Sequence, residues 1–200
     1  MLVSDMEVIM SINMRSRGLV DNLNQFNFHI LGCGAIGSAT LYDIGNKKVD
    51  CLKSDILDIN NAAEVMCADE LFSNYIYMND DDIIILGFDS MESRLDAVKA
   101  IGGWKYSQPY ALIDGRMGAE HYQQYVILKP NLKKYKQIWY SDEEGSEEPC
   151  SMKATSYCSN MSGSFISNAI RKIVTKQPYE EFVSFHFPTM TIEKTTCLFK

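Results

Sequence analysis

Hydrophobic and polar positions change their period several times along this chain, and each change marks an element. Phe26 to Leu31 (FNFHIL) reads as a buried strand. Ile83-Ile84-Ile85-Leu86 is apolar without interruption, the mark of a parallel strand covered on both faces. Between them, Val49, Leu52, Ile56 and Ile59 recur at helical spacing within residues 47–59, which predicts an amphipathic helix. Glu64 to Cys67 and Tyr75 to Tyr77 are weaker strand candidates. Asp89 opens a second helix, with Met91, Leu95, Val98 and Ile101 on one face and Asp89 and Glu92 spaced as in a capping box. Tyr110 to Ile113 predicts a strand that ends in Asp114-Gly115-Arg116-Met117-Gly118, and residues 121–128 (HYQQYVIL) predict another. Met161, Phe165, Ile166, Ala169, Ile170 and Ile173 outline a strong third helix, followed by two short strands over 182–187 and 190–198. Residues 6–14 (MEVIMSINM) read as an amphipathic helix.

Strands alternating with helices predict an α/β protein, a mostly parallel sheet with helices on both faces. A chain of 200 residues suits one domain, able to bury roughly 70% of its unfolded surface. The expected parts are an N-terminal helical segment over 1–25, a core over 26–174 and C-terminal strands over 175–200.

Charge and composition then remove alternatives. Nineteen Lys and Arg against 26 Asp and Glu give a net charge of −7, which argues against nucleic acid as partner, because phosphate binding draws on Lys and Arg. No apolar run approaches the roughly 20 residues that span a bilayer, so no membrane association is expected. Met1 to Met14 does not read as an export signal, since Asp5, Glu7 and Asn13 interrupt it. The six cysteines contain no CxxC pair, which fits reduced thiols in a cytoplasmic protein better than a disulfide or zinc framework. His29, His121 and His186 carry no partner pattern and read as structural; Asp142 to Glu148 reads as a solvated loop.

The chemistry centres on Gly32-Cys33-Gly34-Ala35-Ile36-Gly37, which follows an apolar strand directly. In the dinucleotide fingerprint the first glycine permits a tight turn, the second lets the backbone approach a phosphate and the third lets a helix pack on the strand. That fingerprint also asks for an acidic residue about 20 positions later, at the end of a second strand. Only nine residues, Ser38 to Asn46, separate Gly37 from the helix near Lys47. They are too few for a helix and a strand, since a complete βαβ unit needs roughly 30 residues or more. No ribose anchor follows the loop, which disfavours a nicotinamide-dependent oxidoreductase. The strand carrying Gly32 also loses a neighbour there, leaving its ladder groups exposed unless a terminal segment or another chain covers them.

GCGAIGS, DIGNKKVDCLKSDILDINNAAEV, DIIILGFDSMESR and ALIDGRMGAEHYQQYVILKP stand in this order, and with MRSRGLVDNL upstream the chain resembles the ThiF/MoeB/HesA proteins, the ubiquitin-activating-like adenylyltransferases. The likeness extends from about Arg15 to Val174, through EEPC and YCSNMSGSFISNAIRKIV. It implies a Rossmann-like sheet, a homodimer, and Mg-ATP used to adenylate the C-terminal carboxylate of a ubiquitin-like or sulfur-carrier protein. It implies that Gly32, Gly34, Ala35, Ile36 and Gly37 hold ATP, that Lys48 contacts phosphate and that Asp89 ligates Mg2+ with Arg94 behind it. Arg15 or Arg17 would reach a neighbouring subunit's nucleotide. The family's second strand and its ribose-binding block are missing, so the same resemblance leaves open a non-catalytic protein that binds a carrier.

Overall fold

A computed structural model describes residues 7–11, 26–31, 48–61, 63–68, 78–101, 108–144 and 155–199. The protein is α/β. Its strands, in chain order, are β1 (Glu7–Ser11), β2 (Asn27–Leu31), β3 (Glu64–Ala68), β4 (Asp82–Leu86), β5 (Ala111–Gly118), β6 (His121–Leu128), β7 (Phe182–His186) and β8 (Thr191–Thr195). They form one sheet in the order β3-β1-β2-β4-β5-β6-β7-β8. The helices are α1 (Lys48–Ile59), α2 (Met91–Ile101), the short α3 (Leu132–Tyr135) and α4 (Ser156–Val174). No helix among the described residues is long and apolar enough to cross a membrane.

The β2–β4 and β4–β5 pairs are parallel, and the other five neighbouring pairs are antiparallel. β3 nevertheless points the same way as β2, β4 and β5, because β1 is antiparallel to both β2 and β3. Alternation along the strands divides the core. Phe28, Ile83, Ile85, Ala111, Ile113 and Val126 pack against Ile166, Ala169 and Ile173 of α4. Leu31, Ile84, Leu86, Leu112 and Ile127 pack on the opposite face with Leu95, Val98 and Ile101 of α2 and with Tyr135 of α3. Helices thus cover both faces, as the sequence predicts.

α1 lies on the α4 face, where Leu52, Ile56 and Leu57 meet Ala63, Val65 and Ile30. Ile59, expected on that apolar face, is the last residue of the helix and is 87% exposed. Four residues separate it from β3, so α1 finishes near the amino end of β3 and runs back from the opposite edge. Lys48, its first residue, therefore belongs to the edge where the parallel strands end.

Two sequence expectations are corrected. Residues 7–11 are a strand, not part of an N-terminal helix: Val8, Ile9 and Met10 suit either period, and two flanking strands decide it by offering partners on both sides. Their pairs are Val8 with Ile30 and Cys67, and Ile9 with His29 and Met66. The neighbour that β2 would otherwise lack comes from the chain's own N-terminal part. The strand expected over Tyr110 to Ile113 runs on through Asp114-Gly115-Arg116-Met117-Gly118, because β6 pairs with it from Ala111–Leu128 through Gly118–His121. The Tyr75–Tyr77 candidate and the 38–46 crossover lie outside the described residues.

Among the described residues β3 hydrogen-bonds to the sheet through β1 alone, so β1 holds that edge. Proline at an interior strand position removes a ladder donor. Ile9→Pro should destabilise the protein by about 1–3 kcal/mol, the cost of an orphaned acceptor, in urea unfolding. Amide exchange should accelerate across 27–31 and 64–68 while α4, β5 and β6 stay protected. Acceleration restricted to 7–11 would show that β1 is not the link.

Candidate nucleotide site at the carboxyl edge

The parallel strands β2 and β4 end together, level with Asp114 in the middle of β5, and chemistry-bearing residues lie near this edge. Leu31 is the last residue of β2, immediately before Gly32 in the sequence. Gly87, just beyond β4, donates its N–H to the Leu31 carbonyl at 2.7 Å. Asp89, two residues later, is exposed. The exits of β2 and β4 are thus tied together. From β2 the chain reaches α1 on one face of the sheet, and from β4 it reaches α2 on the other. In open α/β sheets the carboxyl edge at such a divergence is the usual ligand position.

Beneath this edge lies a buried ion cluster. Asp114 is fully buried on β5, and both carboxylate oxygens are engaged. Arg94 Nη1 donates to one oxygen. Arg116 Nε and Nη2 (2.9 and 2.7 Å) and the Tyr135 hydroxyl (3.0 Å) donate to the other. Burial opposes ionisation of Asp114, but Arg116 and Arg94 with these hydrogen bonds outweigh it and hold its pKa below the ordinary carboxylate value. Burial, followed by the neighbouring Asp114 charge, pushes the Tyr135 hydroxyl well up, so it stays a donor. The Arg116 guanidinium also donates to the Ile138 carbonyl at 2.8 Å and lies over the rings of Tyr125 and Tyr140, 4.5 and 5.2 Å from their centroids.

Arg94, expected behind the nucleotide, is a member of this cluster. Besides Asp114 it donates to the carbonyls of Leu86 (3.3 Å), Gly115 (3.0 Å) and Phe88. It is 4% exposed. Its guanidinium joins the end of β4 to the middle of β5 and holds the carbonyl of Phe88, the residue before Asp89. Two guanidiniums against one carboxylate leave the cluster with an excess positive charge under the edge.

Asp89 does not cap α2. Ser90 does, its hydroxyl accepting from the Ser93 N–H at 3.1 Å, helped by Asp142 from a short 3-10 turn (Asp142–Glu144). Asp142 accepts from the N–H groups of Met91 (2.8 Å) and Glu92 (3.4 Å), and Trp139 donates to the Met91 carbonyl at 2.8 Å. The start of the acidic run is therefore a helix cap, not a free loop. Helix N-termini attract anions, but this one already holds the chain's own carboxylate. Asp89 is left unclaimed by the cap.

The remaining predicted residues divide as follows. Gly32, Gly34, Ala35, Ile36, Gly37, Arg15 and Arg17 lie outside the described residues. Lys48 begins α1 at the carboxyl edge. His29 is a core residue whose Nε2 is 3.3 Å from Asp82, near the amino edge. His121 contacts Ser184 at 2.7 Å, and His186 contacts Thr189 at 2.8 Å. Asp114, Arg116, Tyr135 and Asp142 were missed as components of this edge. The sequence signal was the charged Asp-Gly-Arg following an apolar strand, which reads equally well as a turn.

No model of a known protein family matches the chain, and no curated protein matches it. Among solved structures, the crystal structure of PaaA in its selenomethionine form is similar, with a TM-score of 0.48 and 14% sequence identity. The alignment covers 79% of this chain and 58% of that one, so the chain spans under two thirds of that protein's length.

Removing one partner of a buried ion cluster costs about 3–5 kcal/mol, and Asp114→Asn should destabilise by that amount at neutral pH in urea unfolding. Because the folded pKa of Asp114 is depressed, its ionic contribution is complete above the unfolded value of about 3.9 and fades as pH falls through the folded value. The variant should therefore approach wild type in stability below about pH 4. An unchanged difference across that range would show that charge is not what Asp114 contributes.

Proposed function

We propose that the carboxyl edge is the nucleotide site of a ThiF-like adenylyltransferase, which uses Mg-ATP to activate the C-terminal carboxylate of a ubiquitin-like or sulfur-carrier protein. The observation that carries this reading is the Gly87–Leu31 hydrogen bond. It ties the end of β2, which the glycine sequence follows in the chain, to the turn that leads to Asp89, between two parallel strands whose helices lie on opposite faces of the sheet.

The reaction explains the residue types. The carrier's carboxylate attacks the α-phosphorus of ATP, an acyl–phosphate bond forms and pyrophosphate leaves. Negative charge accumulates on phosphate oxygens, and cations placed beforehand stabilise it. Lys48, beginning α1 at this edge, suits a phosphate contact. The excess positive charge of the Arg94–Asp114–Arg116 cluster acts in the same direction from below. The Asp142 carboxylate on α2 directs a polyphosphate away from that helix and toward the β2 side. Arg15 or Arg17 of a second copy would complete the cage in a homodimer.

Among the described residues, no group of three or more His, Cys, Asp or Glu is arranged to hold a metal ion. A single carboxylate suits Mg2+, which takes one or two from protein and its other ligands from phosphates and water. Asp89 would hold it, and the ion would supply neutralisation of phosphate charge. Commitment of Arg94 to internal partners favours the second reading, a non-catalytic protein that binds a carrier. One missing catalytic cation costs about 10²–10³ in rate, judged from loss of a single oxyanion donor.

Pyrophosphate release from Mg-ATP on adding a carrier protein that ends in a glycine carboxylate separates the two. The adenylyltransferase reading expects release, lowered about 10²-fold or more by Asp89→Ala with the unfolding midpoint unchanged. Tight carrier binding without ATP dependence or pyrophosphate release would establish the binding protein instead.

A further inference from the structure

Two of the chain's three histidines stand opposite one another where β6 and β7 pair. His121, the first residue of β6, is in register with His186, the last residue of β7. The Phe187 N–H donates to the Glu120 carbonyl at 2.9 Å. That bond flanks the pair and makes it the non-hydrogen-bonded kind, in which Cα atoms approach to about 4.5 Å and side chains come closest. The two imidazole rings are 5.8 Å apart between centroids, with planes at 80°. His186 is exposed and His121 half-buried, so solvent reaches the pair. A hydroxyl orients each ring. His121 Nε2 lies 2.7 Å from Ser184 Oγ, and His186 Nδ1 lies 2.8 Å from Thr189 Oγ1. The Thr191 hydroxyl fixes Thr189 in turn, donating to it at 2.8 Å.

We infer that His121 and His186 form a binding site for a borderline divalent cation of the Zn2+ class. Imidazole suits Zn2+, Ni2+ and Cu2+, whereas Mg2+ takes oxygen ligands, so this site is separate in chemistry and in place from Asp89. A tetrahedral ion with nitrogen ligands at about 2.0–2.1 Å holds two imidazole centroids roughly 5 Å apart. A small rotation of the exposed His186 side chain closes the difference. A ligating histidine normally donates its other ring N–H to an acceptor that sets its tautomer and plane. Ser184 and Thr189 occupy those positions. With Nε2–H of His121 donated to Ser184 and Nδ1–H of His186 donated to Thr189, the ligating nitrogens are Nδ1 of His121 and Nε2 of His186.

Two protein ligands leave the other coordination positions to water, in keeping with the lack of a larger donor group among the described residues. Glu193 is exposed and in register with Ser184, on the same face of the sheet, and adds negative charge beside the pair. A cation shared by β6 and β7 would cross-link the β5–β6 and β7–β8 hairpins. Binding requires neutral imidazoles, so it weakens on acidification.

Calorimetry of the full, reduced chain with Zn2+ tests the site. Wild type should bind one Zn2+ that millimolar Mg2+ does not displace. His186→Asn and His121→Asn should each weaken that equivalent by at least about 10–100-fold, the usual cost of losing even an orienting partner, while zinc held by thiols persists in all three proteins. Ser184→Ala should weaken it by about 10–100-fold without removing a ligand. In nitrogen-15 NMR the imidazole signals of His121 and His186 should shift together on adding Zn2+, and those of His29 should stay. Undiminished zinc affinity in His186→Asn would overturn the inference, because an exposed position leaves the fold intact. A zinc-induced shift of one imidazole without the other would overturn it as well, since it would describe a solitary histidine. Should His121→Asn fail to fold, His186→Asn and the imidazole shifts still decide.

Discussion

The carboxylate of Asp114 is the constraint on which the edge depends. It is fully buried, and a charge in that position persists only when paired and hydrogen-bonded. Arg94 brings α2 and the end of β4 to it, Arg116 brings the distal half of β5, and Tyr135 brings α3. Four elements meet on one side chain. Such clusters contribute little net stability relative to well-packed apolar groups, so the cluster's value here lies in geometry. It ties the end of β4 to the middle of β5, and through the Phe88 carbonyl it fixes the residue that leads into Asp89.

The cluster also explains why the second half of β5 can be strand at all. A sequence of Asp, Gly and Arg would ordinarily leave a sheet, since buried charge is costly. Pairing with β6 satisfies the backbone over all eight residues, and mutual pairing satisfies the charges. Arg116 then closes the arrangement by stacking on Tyr125 and Tyr140, where its planar guanidinium suits both rings in a way a lysine would not.

Legibility of the sequence divides along the same line between local and distant causes. β2, β4, α2 and α4 were readable because each buries a periodic set of apolar side chains: Ile83 to Leu86 alternate between two cores, and Ile166, Ala169 and Ile173 face one of them. The place of Asp89 at the carboxyl edge was readable because it follows the apolar run of β4. The missing neighbour of β2 was readable as well, together with the remedy of a terminal segment. What filled it was not, because Val8, Ile9 and Met10 fit both helix and strand and only the flanking strands choose. The Asp142 cap was hidden because donor and acceptor are 51 residues apart. The partners of Arg94 were hidden for a related reason: Asp114 and Gly115 lie 20 and 21 residues away on another strand.

Strand direction separates two things that the usual doubly wound sheet joins. In that architecture one helix and one strand after the glycine loop both complete the hydrogen-bond ladder and deliver the ribose anchor. In this chain the ladder is completed by residues that precede the loop, and α1 leads instead to β3, one strand further out. An antiparallel strand satisfies the ladder of β2 as well as a parallel one, with pairing slightly more stable per residue. What reversal changes is which end of the strand meets the carboxyl edge. A sheet built this way stays intact provided an earlier segment can pair, and Glu7–Ser11 meets that condition by pairing with both β2 and β3.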